Sequence, residues 1–423
     1  MSNTSTEQAN RFISLKDIKK SSFIALWFMF LTFPIMVIKV NTVNNTVEWR
    51  WANMIIIGVA SFILSHVWRL FMNRRDGKLS DEQKGGQTVE KLTLRQKLDQ
   101  KPVVAKSLSY AVLVLAIIFP LISGMYQTSI MITALLYVVL ALGLNIMIGL
   151  SGLLVLGYIV FYGVGAYTYA LLNLHFGVNF WVALPIGGIF AMIIGILIAI
   201  PVLRLQGDYL AIVTLAFGEI FRIVLENWND LSFGPSGIAN IPRPTIFGLD
   251  LNVSQATNLT YFIVLAFVLV TIFVIKRLED SRIGRSLVAM REDEIASEAM
   301  GIDMGKTKLV AFALSTFWAG VAGVIFAGKT TFINPSSFTM WESILVLCMV
   351  VLGGMGSIPG AIVGALIITL LPEYLRAFSE YRMVIFGVVL VLVMVFKPDG
   401  MIPSIRQKYE FKKKPESNMK EAE

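Results

Sequence analysis

Charged residues are scarce in this sequence. Only 15% of its 423 residues are Asp, Glu, Lys or Arg, against roughly a quarter in soluble domains. Hydrophobic residues make up 56% and the mean hydropathy is +0.71. A water-facing exterior cannot be built from that composition, because too much apolar surface would remain exposed. Cysteine is nearly absent: Cys348 stands alone in an apolar run, so no intrachain disulfide exists, and it reads as a small core residue. The two histidines, His66 and His175, lie too far apart to make a local metal motif, which argues against zinc-type catalysis. Together these shortages exclude a disordered chain, a disulfide-rich secreted scaffold and an ordinary cytosolic enzyme.

What is present is a succession of apolar runs, near 21–40, 51–70, 108–123, 129–149, 153–173, 181–203, 209–228, 259–275, 309–327, 340–356, 358–375 and 383–397. Each is close to the ~20 residues that cross a bilayer as a helix. The fold class expected is an all-α polytopic membrane protein with roughly ten to twelve transmembrane or re-entrant helices. The polar N-terminus lacks a cleavage pattern, so the first span is read as retained. If that terminus is cytoplasmic, 29 of the 36 Lys and Arg fall on the same side, together with the C-terminus. Six fall on the other side: Lys39, Arg50, Arg243, Lys329, Arg376 and Arg382, with Arg222 inside a span. This is the positive-inside asymmetry. The net charge of +8 is therefore an orientation signal and not a nucleic-acid footprint. The organisation expected is an N-terminal extension (1–107, two spans and a polar cytoplasmic loop), a core (108–400) and a basic tail (401–423) whose Lys412–Lys414 run lies near anionic lipid heads.

Small residues recur at helical spacing. Gly187, Ala191, Gly195 and Ala199 form one row, and Gly356, Gly360 and Gly364 another, each expected to set a backbone stripe against a neighbouring helix. Gly149, Gly152, Gly157 and Pro359 interrupt apolar runs; such breaks either pack tightly or face a water-filled path. Intramembrane charge is informative because it is rare. Glu219 and Arg222, three apart with Glu226 beyond, either neutralise one another or line a gate. Asn145 is a polar residue in a greasy run and is a pathway candidate, although a hydrogen bond to a neighbouring helix is the plainer reading. Asp208, Glu342 and Glu373 lie near span ends. The sequence shows no proton-relay ladder and no potassium-filter motif. The run Gly301 to Thr307 has one residue too few for a phosphate loop and no strand before it, so ATP is not expected on this chain.

The loop 276–308 is the most functional-looking polar piece. Glu294, Ile295, Ala296, Glu298, Ala299 and Met300 read as a short helix stopped by Gly301, with an acidic start at Glu292–Glu294. A small-faced helix projecting from a membrane protein suits a partner's groove.

That stretch resembles the coupling loop of ABC importer permeases, with an acidic residue, paired small residues and a downstream glycine. Further motifs follow in order: Gly149-Leu-Ser-Gly-Leu-Leu-Val-Leu-Gly157, Phe161-Tyr-Gly-Val-Gly-Ala-Tyr167, Pro201 to Thr214, Phe217-Gly-Glu-Ile220, Gly234-Pro-Ser-Gly-Ile238, Arg291-Glu-Asp-Glu-Ile-Ala296 and Val350-Val-Leu-Gly-Gly-Met-Gly-Ser357. Over roughly 129–400 the chain is similar to the branched-chain amino-acid permeases of the LivM type, as is the long N-terminal extension. The coupling sequence Glu298-Ala-Met-Gly301 departs from the Glu-Ala-Ala consensus of other importers.

The resemblance implies an inner-membrane subunit that performs no chemistry and carries no cofactor. ATP and Mg would sit on two cytoplasmic ATPase subunits. A second permease of the LivH type would complete the pore, and an external binding protein would deliver leucine, isoleucine or valine. The loop 229–258, rich in turn residues, is the candidate contact for that protein. Two other readings stay open: a self-contained secondary transporter or channel, and an ABC permease for urea, amides or sugars.

Overall fold

The computed structural model describes residues 102–202, 205, 207–245, 252–376 and 381–403, with the isolated positions 22, 29 and 51 and the segments 38–41 and 46–49. The runs at 51–70 and 72–101 and the tail beyond 403 lie outside the described residues, apart from position 51. By internal contact the chain divides into Met1–Lys97 and Leu98–Glu423. In the first unit β1 (Ile38–Asn41) pairs antiparallel with β2 (Thr46–Trp49). The last residues of the run 21–40 are thus strand and not helix. They alternate apolar and polar with β-branched residues, a pattern that suits a pleat.

In the second unit the apolar runs become helices α1 (Pro102–Ile122), α2 (Met125–Asn145), α3 (Ile159–Phe176), α4 (Phe180–Val202), α5 (Asp208–Asn227) and α6 (Val253–Glu279). Two short helices follow, α7 (Arg282–Glu292) and α8 (Glu294–Ala299). Then come α9 (Met304–Thr330), α10 (Met340–Gly353), α11 (Ile358–Tyr374) and α12 (Arg382–Phe396). A two-residue strand pair, β3 (Ile238–Ala239) with β4 (Phe332–Ile333), ties the segment after α5 to the end of α9.

Among the described residues, five stretches are long and apolar enough to cross a membrane: α2 with its continuation to Leu150, α4, α6, α9, and Pro335–Gly353. Both α6 and α9 have 27 residues, which spans about 40 Å, more than a hydrocarbon core of about 30 Å.

Helix α2 is the axis of the bundle. From Val138 to Ser151 every residue is buried, with α6, α11, α9 and α10 packed around it. Helix α9 packs on α3 and α4 through residues too small to hold them apart. A β-carbon on Gly165 would strike the Gly320 carbonyl, and one on Gly187 would strike Val324. The outward faces are apolar: Leu115 and Ile122 on α1, Leu197 on α4, Phe273 on α6 and Val384 on α12 are all exposed. Exposed aliphatic faces around an equally apolar core are what a lipid solvent requires.

Candidate functional site

The segment between α6 and α9 is built by three consecutive caps. Ser281 opens α7, its Oγ accepting from the Gly284 N–H at 3.1 Å. Helix α7 then buries Gly284, Leu287 and Met290, one face at helical spacing, against the bundle. Asp293, extended at φ −159, ends α7 and caps α8, its Oδ1 accepting from the Ala296 N–H at 2.9 Å. Asp303 caps α9 in the same way, accepting from the Lys306 N–H at 3.0 Å. That bond, with the Lys306 ammonium beside it, holds the Asp303 carboxyl below the usual carboxylate range. Gly301 turns the chain between them at φ +87, the left-handed region that suits glycine.

These caps present one face of α8 outward. Ile295 and Met300 are 82% and 84% exposed, with Ala296 and Ala299 exposed beside them. Glu298 is exposed, and Ser297 alone is buried. Glu294 fixes the helix from beneath: its carboxylate meets the buried Lys308 ammonium of α9 at 2.9 Å. The turn is thus anchored from beneath while its apolar residues stay uncovered.

Arg291, the penultimate residue of α7, connects this surface to the interior. Its guanidinium donates to the Gly149 carbonyl, and its NH2 lies 3.1 Å from Glu292. Gly149 sits where α2 loses its regular pitch. Residues Ile146–Leu150 form a π-turn, and the chain then runs irregularly to α3. The break between α10 and α11 meets it there, with Gly354 at φ +120 and Gly356 at φ +77. The Gly356 N–H donates to Asn145 Oδ1 at 2.8 Å. Two broken helices thus satisfy freed backbone groups with one amide and one guanidinium, as a low-dielectric interior demands. The residues after α12 close the same region, Met401 and Ile402 donating to the Leu352 and Gly353 carbonyls at 2.9 Å each. A cavity of about 680 Å³ opens beside it, lined by Ile148, Gly152, Leu154, Arg291, Met355 and Asp399 among others.

The remaining candidates lie elsewhere. Arg222 holds Glu219 at 2.9 Å and Glu226 at 2.8 Å along α5, all three partly exposed, and Glu219 also accepts from the Met340 N–H at 3.3 Å. Gly187 and Gly195 face α9, against Val324 and Thr316. Gly360 and Gly364 face α10, against the Gly353 and Met349 carbonyls. Gly356 leaves the row in which its spacing placed it: it lies in the turn before α11, where its positive φ excludes a helical position.

Spacing did not single out the residues that hold the α2–α3 break. Tyr158 donates to the Ser315 carbonyl at 2.9 Å, Ser315 to the Gly143 carbonyl at 2.6 Å, and the Ile159 N–H to Ser343 Oγ at 3.0 Å. Their only sequence signal is a hydroxyl inside an apolar run. Among the described residues no group of three His, Cys, Asp or Glu could hold a metal.

Residues 126–394 match the model of a family described as "Branched-chain amino acid transport system / permease component". The high-affinity branched-chain amino acid transport system permease protein LivM of Escherichia coli K12 is 39% identical over 388 residues, 87% of this chain and 88% of that protein. LivM of Salmonella typhimurium LT2 is 39% identical over 386 residues, 86% and 88% of the two chains. The corresponding LivH protein of Escherichia coli K12 is 30% identical over 193 residues, 43% and 60%. No solved structure matches the chain.

Proposed function

The chain belongs to the family of branched-chain amino acid transport system permease components, and from that premise we propose that it is one of two permease subunits of an ATP-driven amino-acid importer in the inner membrane. The partner permease is a LivH-type protein, which the two relatives' names and their shared similarity to this chain support. Two ATPase subunits, carrying ATP and Mg, dock on α8 from the cytoplasm. An external binding protein delivers leucine, isoleucine or valine to the opposite end.

The observation that carries the reading is the uncovered face of α8 together with its anchors. A load applied at Ile295, Ala296, Ala299 and Met300 passes through the Glu294–Lys308 pair into α9. It also passes along α7 to Arg291, and so to the meeting point of two broken helices. Closure of the ATPases would move these as a body, and the helix breaks are where a packed bundle can change its arrangement. Alternating access follows if that rearrangement opens the path between the two permeases to one side at a time.

The test is reconstitution in proteoliposomes. With sister permease, ATPases and binding protein present, ATP-dependent leucine uptake is expected; with this chain alone, neither uptake nor ATP hydrolysis. Ile295→Asp places a charge on the docking face and is expected to reduce ATPase co-purification at least about tenfold, since a desolvated unpaired charge costs more than 1.4 kcal/mol. Ion-driven uptake by this chain alone, or undiminished ATPase binding by Ile295→Asp, overturns the reading.

A further inference from the structure

At the end of the bundle remote from α8, two cations face one small cavity with no acid beside them among the described residues. Lys329 lies in the last turn of α9, 25 residues along that helix from Met304, a distance of about 38 Å. Arg243 lies on the strap that follows β3. The strap is fixed at three points: the Ile241 N–H donates to the Thr331 carbonyl at 3.1 Å, Tyr169 to the Pro242 carbonyl at 2.8 Å and Trp181 to the Thr245 carbonyl at 2.9 Å. Lys329 and Arg243 line a cavity of about 90 Å³ together with Ser129 and Ile132 of α2 and Thr257 and Thr260 of α6.

The hydrogen-bond directions decide what the space can take. Thr257 and Thr260 donate their hydroxyl protons to the Val253 and Ala256 carbonyls at 2.8 Å each. Lys329 donates to Thr133 Oγ1, which in turn donates to the Ser129 carbonyl at 3.1 Å. An ammonium has three donors and a guanidinium five. The lining then offers the remaining N–H donors of Lys329 and Arg243, the Ser129 hydroxyl and the spare lone pairs of the two threonine oxygens, so N–H donors predominate. Among the described residues neither cation has a carboxylate within ion-pair distance. Two uncompensated positive charges beside apolar helices are costly unless an anion joins them. A water needs about 10–15 Å³ of such space, so the cavity has ample room for a carboxylate and the atoms next to it.

We propose that this cavity is a carboxylate-binding site and that it receives the α-carboxylate of the transported amino acid after release from the binding protein. The inference rests on the permease reading above and adds to it the group that this chain grips. The apolar part of the substrate stays outside the cavity, so Lys329 and Arg243 select for the amino-acid head and are indifferent to the side chain.

The test uses the full reconstituted complex, with leucine-loaded binding protein as the probe. Lys329→Gln and Arg243→Gln are each expected to lower leucine uptake per complex about tenfold, the cost of one charge-assisted hydrogen bond. The half-saturating concentration of binding protein and its stimulation of ATP hydrolysis should stay unchanged. Lys329→Arg keeps the charge and should keep uptake. Arg243→Gln, on the strap rather than in a helix, guards against misfolding, and the yield of assembled complex is measured for all three. Unchanged uptake in both glutamine variants overturns the proposal. So does a rise in the half-saturating binding-protein concentration with lost ATPase stimulation, which would mean that an acidic side chain of the binding protein fills the cavity. Absence of ATP-dependent leucine uptake with the unaltered chain is a different failure: the permease reading itself falls, and this inference with it.

Discussion

A methyl group at Gly149 would strike Asn145 Oδ1 and the Gly356 N–H, the two ends of one buried hydrogen bond. A methyl group at Gly301 would meet nothing within 4 Å. Both glycines sit in motifs that spacing alone marks as alike, yet their substitutions should separate. Gly149→Ala overpacks the junction and is expected to cost about 1–3 kcal/mol, seen as a lower melting temperature of the purified complex and reduced abundance in the membrane. Gly301→Ala carries only the left-handed backbone penalty of about 1–2 kcal/mol, confined to an exposed turn. Abundance should hold while ATPase co-purification falls. Glu294→Gln is a third residue-scale change. It strands the buried Lys308 ammonium of α9 without its counter-charge. The expected loss is about 2–3 kcal/mol, below the 3–5 of a fully buried pair because Glu294 is partly exposed. Proteolysis within 293–303 should then quicken before the bundle melts.

At the scale of elements, α8 is too short to be a stable helix by itself. It exists because Asp293 and Asp303 cap either side of it and because Glu294 and Ser297 hold it to the bundle. A helix positioned that way moves with its anchors and transmits displacement. Arg291 is the element-scale prediction. Arg291→Gln keeps a donor but loses the charge and the reach to the Gly149 carbonyl. Assembly with the ATPases should survive, because the face of α8 is untouched. Leucine uptake per ATP hydrolysed should fall about tenfold, the cost of a charge-assisted bond. Equal loss of assembly and uptake would instead make Arg291 a residue of stability. The polar triad of α5 behaves differently: Arg222 pairs with both Glu219 and Glu226 on a partly exposed face, leaving one net negative charge.

At the scale of the molecule, the apolar exterior, the coupling surface at one end and the cationic cavity at the other define an axis. On the proposed reading, the charge asymmetry of the loops directs α8 towards the cytoplasm. With Cys348 replaced by Ala, a cysteine at Glu298 should react with a membrane-impermeant maleimide only from the cytoplasmic side, and one at Thr245 only from outside. The reverse pattern would leave no soluble motor able to reach α8.

The sequence alone determined the solvent, the helices and the polar segment that carries α7 and α8. Apolar runs and scarce charge admit only a lipid-facing helical bundle, and the runs from 108 onward became helices α1–α6 and α9–α12 with ends within a few residues, except that α3 starts later and α1, α6 and α9 start earlier. The acidic start at 292–294 and the stop at Gly301 were legible because helix ends depend on neighbours in the chain; the Asp303 cap was not read from the sequence. Only the tertiary structure decided which breaks meet. Asn145 and Gly356 lie 211 residues apart, and Arg291 and Gly149 lie 142 apart; no local pattern encodes a partner at that distance. The same holds for Lys329 and Arg243, unremarkable as single basic residues. They become a site because the fold brings both to one cavity, with no acid in its lining among the described residues.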